Sequence, residues 1–375
     1  MKKLFLASAV SALFAAPATV LAQAKPAPVP TLDKILEASG ISVSGYIDAG
    51  YTHSDRNQAA FTTRVFDLEN NSIALRQFGL TVAKQPKEGF GGLVNFTVGK
   101  DAQVIHSFPE TAVTNTTATP NSVSMFDVTQ AFLQYAGGPL TVIAGKFVTL
   151  QGSEVIWSPT NPNASRSILF GAIPFTHTGV RATWALSDTA SLIAGVNNGW
   201  DQLTDANKGK TLELGATLNP IKPLSITLSG YSGKEPTSAT TEGTKSSLNA
   251  VASYTIIDPL SVGLEVLSVS QENAAGGTTK QKYSGVAGYV TYMFAPKFRG
   301  VLRAESFDDK DGFKFGTAST KYKEVTLTGA FLASDSFEAR VEGRRDQATN
   351  KVFTDYAGAT SKTMTSIALQ GLYKF

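Results

Sequence analysis

The chain has 375 residues, with 33 Lys and Arg against 30 Asp and Glu, a formal net charge of +3, and no Cys. That balance argues against a nucleic-acid partner or a polybasic membrane patch, and the missing thiol excludes disulfides and a Cys-linked lipid anchor. The length suits either two soluble domains or one large barrel.

Lys2 and Lys3 form a positive start, residues 4–16 an apolar stretch too short to cross a bilayer, and Val20 and Ala22 a small-residue cleavage pattern. Together they predict a secretory signal peptide over residues 1–22, cut after Ala22, with Ala24 as the alternative. Residues 23–40 read as a Pro-rich linker, with Pro26, Pro28 and Pro30 on alternate positions, followed by one short helix over residues 31–39. Leu32, Ile35, Leu36 and Ala38 share a face of that helix, which is expected to be periplasmic and to tether the chain at the mouth of a barrel. Beyond the signal no apolar run reaches the roughly 18 residues of a transmembrane helix. An exported chain of this kind is periplasmic, secreted, or a transmembrane barrel.

From residue 41 to Phe375 the apolar pattern has a period of two. Ile41, Val43, Gly45, Ile47, Ala49 and Tyr51 share one face, and Leu212, Leu214, Ala216 and Leu218 another. Leu248, Ala250, Ala252 and Tyr254 repeat the pattern, as do Val325, Leu327, Gly329 and Phe331. Very short turns join pairs of strands: Gln85 to Glu88, Gly137-Gly138-Pro139, Ser187-Asp188-Thr189, Asn219 to Pro223, Asp258-Pro259, Ala295-Pro296-Lys297 and Ser334-Asp335-Ser336. Long polar connections alternate with them, at residues 53–69, 101–124, 149–175, 199–208, 233–245, 272–280, 308–320 and 347–361. Bacterial outer-membrane barrels have this asymmetry, with the turns periplasmic. The expected fold is therefore all-β: an antiparallel up-and-down transmembrane barrel of about sixteen strands over residues 41–375.

Phe90, Tyr135, Trp184, Tyr254, Phe294, Phe298, Phe331 and Phe337 sit beside the short turns and predict a periplasmic aromatic girdle. Tyr51, Trp200, Tyr231, Tyr283, Phe307 and Tyr322, near the loop ends, are expected to form the opposite one. The last strand alternates Ile367, Leu369, Gly371, Tyr373 and Phe375. Tyr373 and Phe375 then read as the signal by which the outer-membrane insertion machinery recognises a barrel.

Charges keep to one register. Glu338, Arg340, Glu342 and Arg344 alternate with apolar neighbours, and Asp48, Arg181, Glu213, Glu265, Arg303 and Glu305 also lie opposite the apolar set. A charge on the lipid face costs roughly 2–4 kcal/mol at the midplane, so these ten residues are expected to line the pore. Two stretches resist this assignment. Arg76 falls in register with Phe78, Leu80 and Val82, which asks for a bulge or a place above the membrane, and both registers of Leu140–Val148 are apolar. About sixteen strands enclose more space than their side chains fill, which leaves an aqueous channel.

The stretch Gly145-Lys146-Phe147, Gly152, Glu154, Asn161 to Ser167 and Pro174 to Val180, with the opening Val43 to Asp48, resembles the OmpL-like β-barrel porin family over residues 40–375. The resemblance implies a channel in the outer membrane of a Gram-negative bacterium and supplies no functional residues to transfer. The expected activity is passive diffusion of small hydrophilic solutes and ions, with no cofactor. The expected partners are outer-membrane lipids, lipopolysaccharide, the insertion machinery and further copies of the chain. A surface receptor or adhesin using the barrel as an anchor is the alternative.

Enzymatic chemistry finds little support. His53, His106 and His177 lie in loops or at loop edges, and no nucleophile motif accompanies His177-Thr178. Asp308, Asp309 and Asp311 before Gly312 lack the remaining ligands of a calcium loop, so a solvated acidic loop or a cation bridging lipopolysaccharide is preferred. Gly91-Gly92 and Gly276-Gly277 are turn and strand glycines rather than phosphate loops. In the connection at residues 149–175, Ile168, Leu169, Phe170, Ile173 and Phe175 form an apolar patch that a loop in water has no use for. The patch is expected to fold inward, over Leu140–Val148; packing on neighbouring loops outside, or at a subunit interface, is the alternative. Glu154 and Arg166 would then form a constriction facing Arg340, Glu342 and Arg344.

Overall fold

The computed structural model describes residues 31–56, 63–107, 124–238, 241–274 and 278–375. The signal peptide, the linker at residues 23–30 and Gly276-Gly277 lie outside them. Residues 31–39 belong to one unit, in which α1 spans Leu32–Ser39, and the described residues from 40 onward form a second.

The second unit is a closed antiparallel barrel of sixteen strands. It begins with β1 (Ser42–Ser54), β2 (Ser72–Lys84), β3 (Gly89–Val98) and β4 (Phe126–Gly137), with the one-turn helix α2 (Ala102–Ile105) between β3 and β4. It continues through β5 (Leu140–Val148), β6 (Thr176–Ser187), β7 (Ala190–Asn197) and β8 (Thr211–Ile221). Next come β9 (Leu224–Pro236), β10 (Glu242–Ile257), β11 (Leu260–Gln271) and β12 (Gln281–Ala295). After β13 (Phe298–Asp309), β14 (Thr320–Leu332) and β15 (Phe337–Ala348), the ribbon of β16 (Phe353–Thr354) and β17 (Thr360–Ser361) precedes the closing strand β18 (Thr363–Lys374). Neighbours in the chain are neighbours in the wall, and β18 pairs with both β15 and β1. Every expected short turn falls at one end of the strands. The long connections, here loops 1 to 8 in chain order, all fall at the other.

Closure depends on the end of the last strand. Phe375 and Gly45 exchange backbone hydrogen bonds of 2.9 and 2.8 Å, and the Phe375 ring packs against Phe78, with centroids 6.3 Å apart. A Cβ on Gly45 would push the edge of that ring aside.

The registers resolve both awkward stretches. Asp48 pairs with Gln77 but Ala49 pairs with Leu75, so Arg76 is the extra residue of a β-bulge. The bulge turns its guanidinium inward, where it donates to Thr52 Oγ1 at 2.7 Å. In β5, Ile143 lies opposite Gln134 and Arg181, which puts Thr141 and Ile143 in the lumen register and Leu140, Val142 and Ala144 on the lipid side. Lys146 is buried, with Nζ 3.2 Å from Asp127 Oδ1.

The turn-side girdle is as expected: Phe90, Tyr135, Trp184, Tyr254, Phe294, Phe298, Phe331 and Phe337 are all exposed on the outer wall. The loop-side girdle is not. Trp200, Tyr231, Tyr283, Phe307 and Tyr322 are buried, and of that group only Tyr51 stays in the outward register. The reason is register: the four strand aromatics share the face of Glu213, Leu267, Glu305 and Glu324 and so point into the barrel.

All ten expected pore-lining residues occupy the inward register, yet none meets open water. Asp48, Arg181, Glu213, Glu265, Arg303, Glu305, Glu338, Arg340, Glu342 and Arg344 are all buried. Accessible inward side chains lie instead toward the turn side: Thr141, Thr183, Thr217, Thr227 and Val251 between β3 and β12 are half-exposed, as is Arg299 on β13, and Ser44 on β1 and Lys374 on β18 are exposed. Cys introduced by Thr217→Cys or Thr227→Cys is therefore expected to react with a small water-soluble thiol reagent, and Cys introduced by Leu214→Cys or Leu228→Cys is not. Equal labelling of the two registers would contradict the wall assignment.

Candidate pore constriction

Loop 3 leaves β5 at Thr149 and returns to β6 at Thr176, its base pinched by the Thr149 N–H donating to Phe175 O at 3.0 Å. Between these points it crosses the barrel interior, bonding one strand after another. The Leu150 N–H donates to Tyr231 Oη on β9 at 2.9 Å, and Gln151 Nε2 to Ser247 Oγ on β10 at 2.9 Å. The Gly152 N–H reaches Asn249 Oδ1 at 3.1 Å, and the Ser153 N–H reaches Glu265 Oε2 on β11 at 2.9 Å. Asn163 Nδ2 then donates to Thr328 Oγ1 on β14 at 2.7 Å.

At the far wall two carboxylates take the loop backbone in pairs. Glu342 on β15 accepts the Ala164 and Ser165 N–H groups at 2.7 and 3.0 Å, and Glu305 on β13 accepts those of Ile168 and Leu169 at 2.7 and 3.2 Å. The guanidinium groups beside them take the carbonyls. Arg340 donates to Asn163 O at 3.0 Å, Arg303 to Ser165 O at 2.9 Å, and Arg344 to Arg166 O at 2.5 Å. An irregular segment has no sheet partner for its peptide groups, and these side chains supply one. Hydrogen bonds with a charged partner are the stronger kind.

The remaining charges are spent on one another. Arg303 pairs with Glu154 at 2.7 Å and Glu324 at 3.1 Å, Arg340 with Glu338 at 2.6 Å, and Arg344 with Asp346 at 2.7 Å. Arg181 pairs with Glu213 on the opposite side. Glu154 thus meets Arg303 and not Arg340 or Arg344, and its other oxygen accepts the Ser167 N–H at 2.7 Å. Arg166 does not face the wall charges either. It donates to Val155 O and Ile156 O at 2.9 and 3.0 Å, with its guanidinium 5.3 Å from the Phe66 ring and 5.7 Å from Phe170. Burial lowers the Arg166 guanidinium from its ordinary value, with Glu154 the main opposing influence.

The apolar patch of loop 3 packs across the barrel from where it was expected. Ile168, Leu169, Phe170 and Ile173 join Leu267 and Val269 of β11, Tyr283 and Tyr289 of β12, Phe307 of β13 and Tyr322 of β14. Phe66 of loop 1 and Ile105 of α2 complete the cluster, and Val148 is the β5 residue that touches it. The misplaced loop-side aromatics are thus the floor on which loop 3 rests. Sequence reasoning missed them in this role, although aromatics in the polar register of a strand were the available signal. Loop 2 is tied in through Gln77, whose Nε2 donates to Asp101 Oδ2 at 2.8 Å and Ile156 O at 3.1 Å. Burial, reinforced by the charge of Asp48, holds the Asp101 carboxyl well above the usual carboxylate range.

Loop 3 has a second, free edge. From Ser153 to Ser158 burial alternates: Glu154, Ile156 and Ser158 are buried, Ser153 and Val155 are exposed, and Trp157 is half-exposed. The segment alternates as a strand does, its backbone held by side chains, with one face on the packed cluster and the other toward open space.

The histidines are engaged structurally. His177 is buried, with Nδ1 3.0 Å from Gly199 O and its ring stacked on Tyr231 at 4.4 Å; His106 lies 3.2 Å from Asp127, and His53 2.6 Å from Asn71. The acidic trio disperses: Asp309 accepts the Phe315 N–H at 2.8 Å, Asp311 the Lys282 N–H at 2.9 Å, and Asp308 pairs with Lys321 at 3.5 Å.

The family model described as "Putative beta-barrel porin-2, OmpL-like" matches residues 40–375. No curated protein matches the sequence. Among solved structures, the outer membrane channel DcaP of Acinetobacter baumannii is similar at a TM-score of 0.61 and 15% identity, over 89% of this chain and 97% of that one. The trimer form of Vibrio cholerae OmpT gives 0.58 and 12%, over 89% and 99%. The anion-selective porin from Comamonas acidovorans gives 0.58 and 10%, over 89% and 99%.

If the two carboxylates pin the loop, Glu305→Ala combined with Glu342→Ala should free it, each substitution removing charge-assisted bonds worth about 1.5–3 kcal/mol. Limited proteolysis is expected to cut residues 150–175 in the double variant and to spare them in the native barrel. Equal resistance would contradict the anchoring role.

Proposed function

The chain belongs to the OmpL-like beta-barrel porin-2 family of outer-membrane channels, and from that premise we propose that it conducts small hydrophilic solutes and ions passively through its lumen. The observation that carries this reading is the course of loop 3. A loop joining β5 to β6 that bonds to β9, β10, β11, β13, β14 and β15 leaves only part of the barrel cross-section free. Loops 1 and 2 add to the same packed mass. The geometry suits a narrow aperture that admits small molecules and excludes large ones. An adhesin or receptor would need none of this inward bonding, since its function would lie in outward loop surfaces.

The remaining partners follow from the outer wall. Lys321, Lys323 and Arg345 are exposed at the loop ends of β14 and β15, in the lipid-facing register. There they suit the phosphates of lipopolysaccharide, while the apolar band below suits lipid chains. Phe375 at the closing seam suits recognition by the insertion machinery. The trimer form of OmpT makes a homo-oligomer the natural assembly to test.

Single-channel recording in planar bilayers tests the channel and its narrowing together. Deleting residues 153–170 is expected to raise conductance severalfold while the barrel remains strand-rich and heat-modifiable. A folded deletion variant with native conductance would show that loop 3 does not limit the path.

A further inference from the structure

The two edges of loop 3 differ in chemistry. Its buried edge takes up the wall charges, each described guanidinium there being paired with a carboxylate or a carbonyl. Its free edge offers Ser153, Val155, Trp157 and Thr160. Across the open space, the half-exposed inward residues of β3 to β12 in the turn-side half include Leu93, Phe132, Thr141, Ile143, Thr217 and Val251. Neither side carries a charge. Lys245, at the loop end of this register, is turned onto the Trp200 ring, with Nζ 3.7 Å from its centroid.

At the foot of the loop, Trp157, Pro159 and Thr160 enclose a pocket of about 340 Å³ with Ser44, Tyr46 and Thr81 of the wall. Lys374, exposed at the end of β18, and Phe375 border it. The volume lies at the lower end of the roughly 300–1,000 Å³ spanned by small-ligand sites. A half-exposed indole presents an apolar face; the Ser44 hydroxyl can donate and accept, Thr81 Oγ1 already accepts from Asn95 and keeps its proton to donate, and Thr160 Oγ1 donates to Trp157 O and keeps its lone pairs to accept.

Resting on the channel reading above, we propose that the path favours uncharged, ring-bearing polyols over ions of the same size, and that the Trp157 pocket is their binding subsite. The C–H face of a pyranose ring covers the indole while its hydroxyl groups exchange water for the surrounding hydroxyls. A cationic solute sheds hydration without finding an unpaired carboxylate, and an anionic one finds only Lys374 at the rim of the pocket, exposed to water and screened by it, so both pass more slowly.

Liposomes containing the purified full-length barrel test the selectivity, with D-glucose, D-gluconate and D-glucosamine as probes of nearly equal size. Glucose is expected to enter at least about fivefold faster than either ion, the ratio that corresponds to a barrier difference of about 1 kcal/mol. In planar bilayers glucose should interrupt the ionic current in a saturable way. Trp157→Ala is expected to weaken that block at least about fivefold, as for the loss of an aromatic anchor, with Trp157→Phe retaining most of it. Entry of gluconate or glucosamine at or above the glucose rate would overturn the selectivity, and an unaltered block in Trp157→Ala would overturn the subsite. A folded barrel that opens no channels would overturn the channel reading itself, and this inference with it.

Discussion

A buried carboxylate needs hydrogen-bond donors, and an irregular loop inside a barrel has backbone N–H groups without partners. Glu305 and Glu342 bring these two needs together, each taking two successive amides of loop 3. Leaving either group unpaired in the interior costs several kcal/mol for the charge and about 1–3 for each amide. The arginines between them are fixed by the same logic, since Arg303, Arg340 and Arg344 each hold a loop carbonyl as well as a carboxylate. Loop and wall therefore form one network, and the apolar cluster beside it is roofed by the same segment. The position of the loop, the burial of the wall charges and the chemistry of the remaining lumen all follow from this exchange.

The result is a barrel whose interior has two unlike sectors. On the side of β13 to β15 the inward register is dense with charge, buried except for the half-buried Arg299 at the turn end. On the turn side of β3 to β12 it is uncharged and open, with Thr, Ser, Gly and aliphatic side chains. Fixed charge in a porin wall sets ionic preference only where ions approach it. Here loop 3 stands between the charges of β13 to β15 and the open sector.

Much of the barrel was legible in the sequence because its signals are local. Alternation assigned the lumen and lipid registers, Pro- and Gly-bearing turns marked the hairpins, and Arg76 out of register announced the bulge opposite Asp48. The inward fold of loop 3 was legible too, from Ile168, Leu169, Phe170 and Ile173 in a connection otherwise polar. What failed were statements about who meets whom across the lumen. Glu154 and Arg303 are 149 residues apart, and no periodicity links them. Tyr231, Tyr283, Phe307 and Tyr322 looked like membrane-interface aromatics because they lie near strand ends. Their register, once counted against Glu305 and Glu324, sends them inward, where loop 3, Phe313 and Phe315 of loop 7, and the His177 ring give them something to pack on.

If this network fixes the lumen, loop 3 stays against the far wall while the channel conducts. The chain has no Cys, so the pair Asn163→Cys and Thr328→Cys, whose native side chains are hydrogen-bonded at 2.7 Å, allows one disulfide only. Single-channel conductance of this variant, recorded before and after oxidation, is the direct measurement. The disulfide is expected to form readily in the folded barrel and to leave the conductance unchanged. Failure to cross-link, or a collapse of conductance when the link forms, would mean that the conducting state holds the loop elsewhere.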